Sequence, residues 1–258
     1  MRLVDTHHFG SDMIQVFKIP KETIQGVFVT RSGFETVGSV AARLPEYNFI
    51  INADGWYGSQ SASIWYSEGI GKNTSQRDWR PWINFDKQNN YKFGWMWGTF
   101  WGNFNAVSGT RFIVENGQPN TRWEGWPTEL NARTAIGIAY DGSLVVAVVD
   151  GRDSPDPEGL SLKGLADLMI ENGCETAIDL DGGGSTTLAI NGQIANTPED
   201  DGVPGQRAVI NHLCLRLSEI PGQPTDPPPV DPPPVSGHPE WFKLTDPEGT
   251  ESYYDKRE

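Results

Sequence analysis

Asp141-Gly142 sits between two apolar runs, residues 134–140 (TAIGIAY) and 144–149 (LVVAVV), and this pattern commits the middle of the chain to an antiparallel hairpin. Both turn residues tolerate positive φ, which a tight hairpin needs, and the flanking β-branched side chains suit a pleated surface. Asn191-Gly192 repeats the signal between residues 187–190 and 193–195. Further strand-like runs cover residues 14–19, 25–30, 47–52, 111–115, 176–178 and 208–217. Helix signals are fewer. Ser161 is placed to act as an N-cap, Leu162, Leu165, Ala166 and Met169 recur at helical spacing, and Asn172-Gly173 supplies the stop. A second helix is expected over residues 37–43. The expected fold is α+β: a bent, mainly antiparallel sheet packed by two or more helices, with an active cleft at the strand ends.

The strand pattern stops at Leu217, where IPGQPTDPPPVDPPPVSG begins. Prolines this dense remove backbone donors and fix φ, which makes a stiff spacer rather than part of a core. The expected organisation is therefore a catalytic domain over 1–217, a Pro-rich linker over 218–236, and a short tail or the start of a further module over 237–258. Nine of the ten tryptophans fall between Trp56 and Trp126, so about 55–130 is expected to be a Trp-rich insertion. Its rings either stack on carbohydrate or cover the sheet.

A net charge of −14 opposes binding to nucleic acid or to an anionic membrane, so an anionic substrate must meet a local group of arginines. The N-terminal MRLVDTHHFGSDM lacks an apolar core and no stretch is apolar enough to span a bilayer. A soluble chain without a signal peptide is expected, cytoplasmic unless released by lysis or carried on a virion. Cys174 and Cys214 are too few for a disulfide framework and read as small buried hydrophobes.

Chemistry concentrates in Asp179-Leu-Asp-Gly-Gly-Gly-Ser-Thr-Thr. Gly182, Gly183 and Gly184 let the chain turn with unobstructed N–H groups, which suits an anion; Asp181 stands at the entrance, and Ser185 and Thr186 add hydroxyls. A P-loop or dinucleotide loop would open a helix, whereas a hairpin follows here. Asp150, ending a strand before Gly151, is the second candidate carboxylate.

NARTAIGI, VVDGR, GLSLKGLADLM, DLDGGGSTTLAINGQ and residues 206–211 (QRAVIN) follow one another in an order that resembles the phosphodiester glycosidase family, with weaker similarity before residue 132. The resemblance implies a bacterial or phage hydrolase that cleaves the glycosidic bond of an N-acetylglucosamine 1-phosphodiester or a related sugar phosphate, such as a cell-wall or capsular polymer. It implies Asp181 and Asp150 as catalytic residues. It implies Asn52, Arg133, Arg152, Gly182, Gly183, Gly184, Ser185, Thr186, Arg207 and Asn211 as substrate-binding ones. Arg133, Arg152 and Arg207 are forked cations suited to phosphate oxygens. Two positions depart from the family pattern: Asp179 stands where Asn is usual, and Asp54 where Gly is frequent. Two other functions use the same residues, a non-catalytic carbohydrate-binding module and a phosphodiesterase that releases sugar 1-phosphate.

No histidine spacing matches a zinc site. The acidic runs DGRDSPDPEG and PEDDG supply hard oxygens without the spacing of a calcium loop, so no cofactor is required and calcium is the one candidate metal.

Overall fold

The computed structural model describes residues 7–9, 12–31, 33–57, 60–73, 80–94, 104–120, 128–151, 159–220, 241–245 and 251–255. The chain divides into two units, Met1–Gln223 and Pro224–Glu258. The second contains an antiparallel pair, Trp241–Thr245 with Glu251–Asp255.

Among the described residues, three antiparallel sheets of five or more strands build the first unit, with two further two-stranded pairs, Trp56–Tyr57 with Gln60–Ser61 and Glu199–Asp200 with Val203–Pro204. The first has the strand order His7–Phe9, Asp12–Ile19, Leu144–Val149, Arg133–Ala139, Cys174–Asp179, Arg111–Glu115, Gln118–Pro119. The second runs Tyr91–Gly94, Trp82–Phe85, Asn105–Ser108, Trp65–Ser67, Ile70–Asn73. The third runs Gln193–Ile194, Leu188–Ile190, Phe49–Asn52, His212–Leu217, Ile24–Val29.

The expectation of an α+β fold is overturned: the described residues are mostly strand, and the two α-helices are only 7 and 10 residues long. The physical reason is how the sheets cover their apolar faces. Ile136, Val146 and Ile178 of the first sheet share one core with Ile83, Phe85 and Val107 of the second and with Phe49, Ile51 and Leu213 of the third. Sheet packs on sheet there, and helices cover only what is left. Leu162–Glu171 lies on the opposite face of the first sheet, where Leu165, Ala166 and Met169 meet Ala135, Ala147 and Ala177. Burying Leu165 and Met169 contributes about 1.5–3 kcal/mol each. Ser161 caps this helix by accepting the Gly164 N–H at 3.1 Å. Val37–Arg43, capped by Thr36, buries Val37, Val40 and Ala41 against Ile50, Ala189 and Cys214 of the third sheet. Both cysteines are free and buried.

Strand residues follow from side-chain alternation and from the turns. Asn191 and Gly192 both adopt positive φ, as a two-residue hairpin requires. At the other hairpin only Gly142 does, because Asp141 instead turns the chain by accepting the Ser143 N–H on its side chain at 3.0 Å. The second sheet lies wholly inside the Trp-rich stretch. Trp65 and Trp82 are buried, the former donating to Thr30 O at 2.9 Å. Trp79, Trp95, Trp97, Trp101, Trp123 and Trp126 lie outside the described residues.

Candidate active site

Antiparallel pairing gathers the functional segments at one set of strand ends. Asp179 closes one strand and Arg111 and Arg133 open its two neighbours. Asn52 closes a strand of the third sheet, Asn211 precedes another, and Asp150 follows the strand paired with Arg133. The ends are joined by hydrogen bonds. Asn52 Nδ2 donates to Asp181 O at 2.7 Å, and Asn52 Oδ1 accepts from Thr134 Oγ1 at 2.9 Å and from Thr187 N at 3.1 Å. Asn211 Oδ1 accepts the Asp54 N–H at 2.9 Å. Asn52 and Asn211 are fully buried, so both act here as latches that hold the loop backbone.

The glycine turn is a short 3-10 element, Gly183–Ser185. Gly183 takes φ +57°, and a Cβ on Gly182 would stand 2.8 Å from Ala132 O, while one on Gly184 would meet Arg207 Nη2 at 2.8 Å. Glycine is required here by close approach as much as by backbone angle. Gly183 N donates to Ala132 O, Ser185 N to Gly182 O and Thr186 N to Gly183 O, so these N–H groups are spent on the fold rather than offered to an anion. Thr186 Oγ1 and Thr187 Oγ1 are buried without a hydrogen-bond partner among the described residues. Ser185 Oγ stands beside the Asp181 carboxylate without completing a hydrogen bond of normal geometry.

Asp181 is held by its own N–H, which donates to Ala53 O at 2.9 Å. Burial pushes its carboxyl up to about 6, while Ser185, Arg207, the Gly182 N–H and Arg80 pull it back. It remains partly exposed, and a Cβ on Gly55 would lie 3.5 Å from its Oδ1. Trp56 follows Gly55 and meets the exposed Phe34 edge-on at 5.3 Å between centroids.

Three more buried carboxyls lie at or just beyond these strand ends. Asp54 has both oxygens engaged, by Ser108 N at 2.7 Å and by Ser61 Oγ, and its complete burial pushes it up to about 7. Asp150 is engaged too: Oδ1 accepts from Asn196 Nδ2 at 2.7 Å and Oδ2 from Thr197 N at 2.8 Å, and burial raises it. Asp179 differs, since its buried Oδ1 has no hydrogen-bond partner among the described residues. Burial pushes it up to about 7 against the opposing pull of Arg133, Arg111 and Arg80, with the Asp181 charge adding to the rise.

Of the expected arginines, Arg207 pairs with Asp200 and, at 3.6 Å, with Asp201 while acting on Asp181. Arg133 donates to Leu160 O and Glu129 O. Arg152 lies outside the described residues. Arg80 and Arg111 join the site without having been expected. Arg111 is revealed only by its register opposite Asp179, and Arg80 lies in the Trp-rich stretch, where similarity to known motifs is weak.

No group of three or more His, Cys, Asp or Glu side chains is placed to hold a metal among the described residues. In the PEDDG run Asp200 and Asp201 face Arg207, and the other acidic run lies largely in residues 152–158, outside the described residues. His212 is buried between Thr30 Oγ1 and Glu35 O and is pushed down to about 4, hence neutral. No helix of the described residues is long and apolar enough to cross a membrane.

Residues 29–216 match the family model described as phosphodiester glycosidase. A Bacillus subtilis (strain 168) relative, the SPbeta prophage-derived uncharacterized protein YomE, is 28% identical over 78% of this chain and 29% of its own length. Human N-acetylglucosamine-1-phosphodiester alpha-N-acetylglucosaminidase is 39% identical over 71 residues, 28% of this chain and 13% of its own. The chain thus spans less than a third of either curated relative. Among solved structures, the zebrafish N-acetylglucosamine-1-phosphodiester alpha-N-acetylglucosaminidase catalytic domain, auto-inhibited by its pro-peptide, superposes with a TM-score of 0.65 at 19% identity. That match covers 83% of this chain and 87% of the zebrafish chain. A hypothetical protein from Synechocystis gives 0.62 at 12% identity, over 80% and 59%. Since the family model covers most of the sequence, the chain belongs to the phosphodiester glycosidase family.

Proposed function

We propose that this chain hydrolyses the bond between C1 of N-acetylglucosamine, or a closely related amino sugar, and a phosphodiester. The observation that carries the proposal is Asp181: a partly exposed carboxyl that opens the glycine turn, beside Gly55, with Arg207 and Arg80 acting on it. With its carboxyl near 6, Asp181 is ionised at neutral pH and supplies the negative charge that C1 needs as it becomes oxocarbenium-like. Arginines beside it suit the phosphate, which gains charge as the C1–O bond breaks. Phe34 and Trp56 offer an aromatic edge on which a sugar ring can stack. The human and zebrafish relatives carry this activity in their names, and the prophage origin of the Bacillus relative favours a bacterial cell-wall or capsular sugar-phosphate polymer as substrate.

Product analysis in 18O-labelled water tests the proposal. C1–O cleavage releases free sugar and leaves the phosphate monoester unlabelled. Label in the phosphate, with sugar 1-phosphate as product, would make the protein a phosphodiesterase. Binding without turnover would make it a carbohydrate-binding module.

A further inference from the structure

We propose that Asp179 is the second functional carboxyl of this site, the acid that gives a proton to the departing phosphate oxygen while Asp181 acts at C1. The inference rests on the glycosidase function proposed above. It starts from a comparison of three buried carboxyls. The oxygens of Asp54 accept from Ser108 N and Ser61 Oγ, and those of Asp150 from Asn196 Nδ2 and Thr197 N; both side chains serve as anchors between chain segments. Asp179 Oδ1 has no such task among the described residues. A buried carboxyl oxygen without a donor is costly when charged, and a bound proton removes that cost.

Placement supports the role. Asp179 is the last residue of its strand, between Ile178 and Leu180, which both turn into the shared core, so alternation sends its carboxyl away from that core, and Asp181 follows two residues on at the glycine turn. The register sets Arg111 opposite Asp179 on one side and Ala135 on the other, two residues along the strand from Arg133. The groups that face Asp179 are therefore Arg111 and Arg133 from the flanking strands, Arg80 from the segment before Trp82–Phe85, and Asp181 from the glycine turn. Burial outweighs the three guanidinium groups and holds Asp179 near 7, against about 6 for Asp181. More deeply buried than Asp181 and with an oxygen that has no donor among the described residues, Asp179 is the member of the pair that holds a proton more readily.

The chemistry balances. The C1–O bond breaks and its electron pair passes to the phosphate oxygen, which takes the proton of Asp179. Water forms the new bond to C1 and its released proton goes to Asp181. The departing monoester, whose second pKa is about 6, leaves with one negative charge instead of two. Asp179 is left as a carboxylate among three arginines, and proton exchange from Asp181 restores the starting state.

The test compares wild type with Asp179→Asn on two substrates across pH: an alkyl phosphodiester of N-acetylglucosamine 1-phosphate, and a 2,4-dinitrophenyl N-acetylglucosaminide whose leaving group needs no proton. Wild-type kcat/KM on the phosphodiester should fall above about pH 7, the value for Asp179. In Asp179→Asn that fall should vanish, with turnover lower by on the order of 100-fold, while the aryl glycoside is hydrolysed within about threefold of wild type. Persistence of the alkaline fall in the variant, or equal losses on both substrates, overturns the proposal. A 13C titration of the assigned Asp179 carboxyl in the wild-type protein reads the proton directly, even where the variant folds poorly; titration near 4 also overturns it. If wild type releases no free sugar from either substrate, the glycosidase function itself fails, which the variant data cannot mimic.

Discussion

Replacing Asn52 by alanine isolates what the latch between the sheets is worth. The substitution removes three hydrogen bonds at once and leaves the Asp181 carbonyl, the Thr187 N–H and the Thr134 hydroxyl facing a site that is fully buried. An unsatisfied buried polar group costs about 1–3 kcal/mol, and because three groups share one cavity their costs overlap, so a total of about 3–5 kcal/mol is expected. For a domain of this size that corresponds to a fall in Tm of roughly 6–20 °C. Urea denaturation followed by tryptophan fluorescence gives the free energy, and KM and kcat are measured on the same preparation. Because Asn52 holds the backbone of Asp181 rather than facing solvent, the active fraction should lose kcat more than ground-state affinity. A loss of stability below about 1 kcal/mol, accompanied by a large rise in KM, would refute the latch and return Asn52 to direct substrate binding.

Asp181→Asn should lower kcat/KM by on the order of 100-fold or more without lowering Tm, checked by product release and thermal melting. Asp54, Asp179 and Asp181 are all raised in the folded protein, so the stability they contribute is full below about pH 4 and is lost as pH rises through about 6 to 7. Tm should therefore decline between pH 5 and pH 8, and Asp54→Asn should flatten that decline; an unchanged slope in the variant would clear Asp54 of the effect. Arg207→Lys keeps the charge but loses the planar guanidinium that contacts Asp200 beside Gly184, and kcat/KM on a charged sugar phosphate should fall about tenfold, with a salt dependence close to that of wild type. Deleting residues 224–258 retains Ile220, which is buried in the shared core, and should leave Tm within about 2 °C and activity intact.

Local chemistry is what the sequence displayed most plainly. Residues 37–43 and 111–115 form the helix and strand expected there, and Ser161 caps its helix by accepting the Gly164 N–H, as its spacing implies. These features need only neighbours a few positions away. The second sheet was illegible because its strands of three or four residues are interleaved with polar turns, and their apolar character shows only once Ile83, Phe85 and Val107 face another sheet. Without that sheet, helices are the only cover the sequence offers for the apolar faces, which is why it points to α+β.

The same limit governs the site, and Asp150 and Asp179 show it best. Asp179 ends a strand and Asp150 directly follows one, and both carry the same functional group. What separates them lies elsewhere in the chain: Asn196 and Thr197 occupy both oxygens of Asp150, while the strands carrying Arg111 and Arg133 bring cations to Asp179 and leave one oxygen without a donor among the described residues. Sequence can propose which carboxyls are near the chemistry, since the glycine turn marks the place. It cannot say which one is idle, because idleness is a property of partners 45 or more residues away. A buried carboxyl whose oxygens are occupied, as in Asp54 and Asp150, holds two segments together; one left idle among arginines has an oxygen available for proton transfer. The choice between anchor and acid at Asp150 and Asp179 is therefore made by sheet register, and a single-residue slip in the strand that ends at Asp179 would send its carboxyl to the opposite face of the sheet.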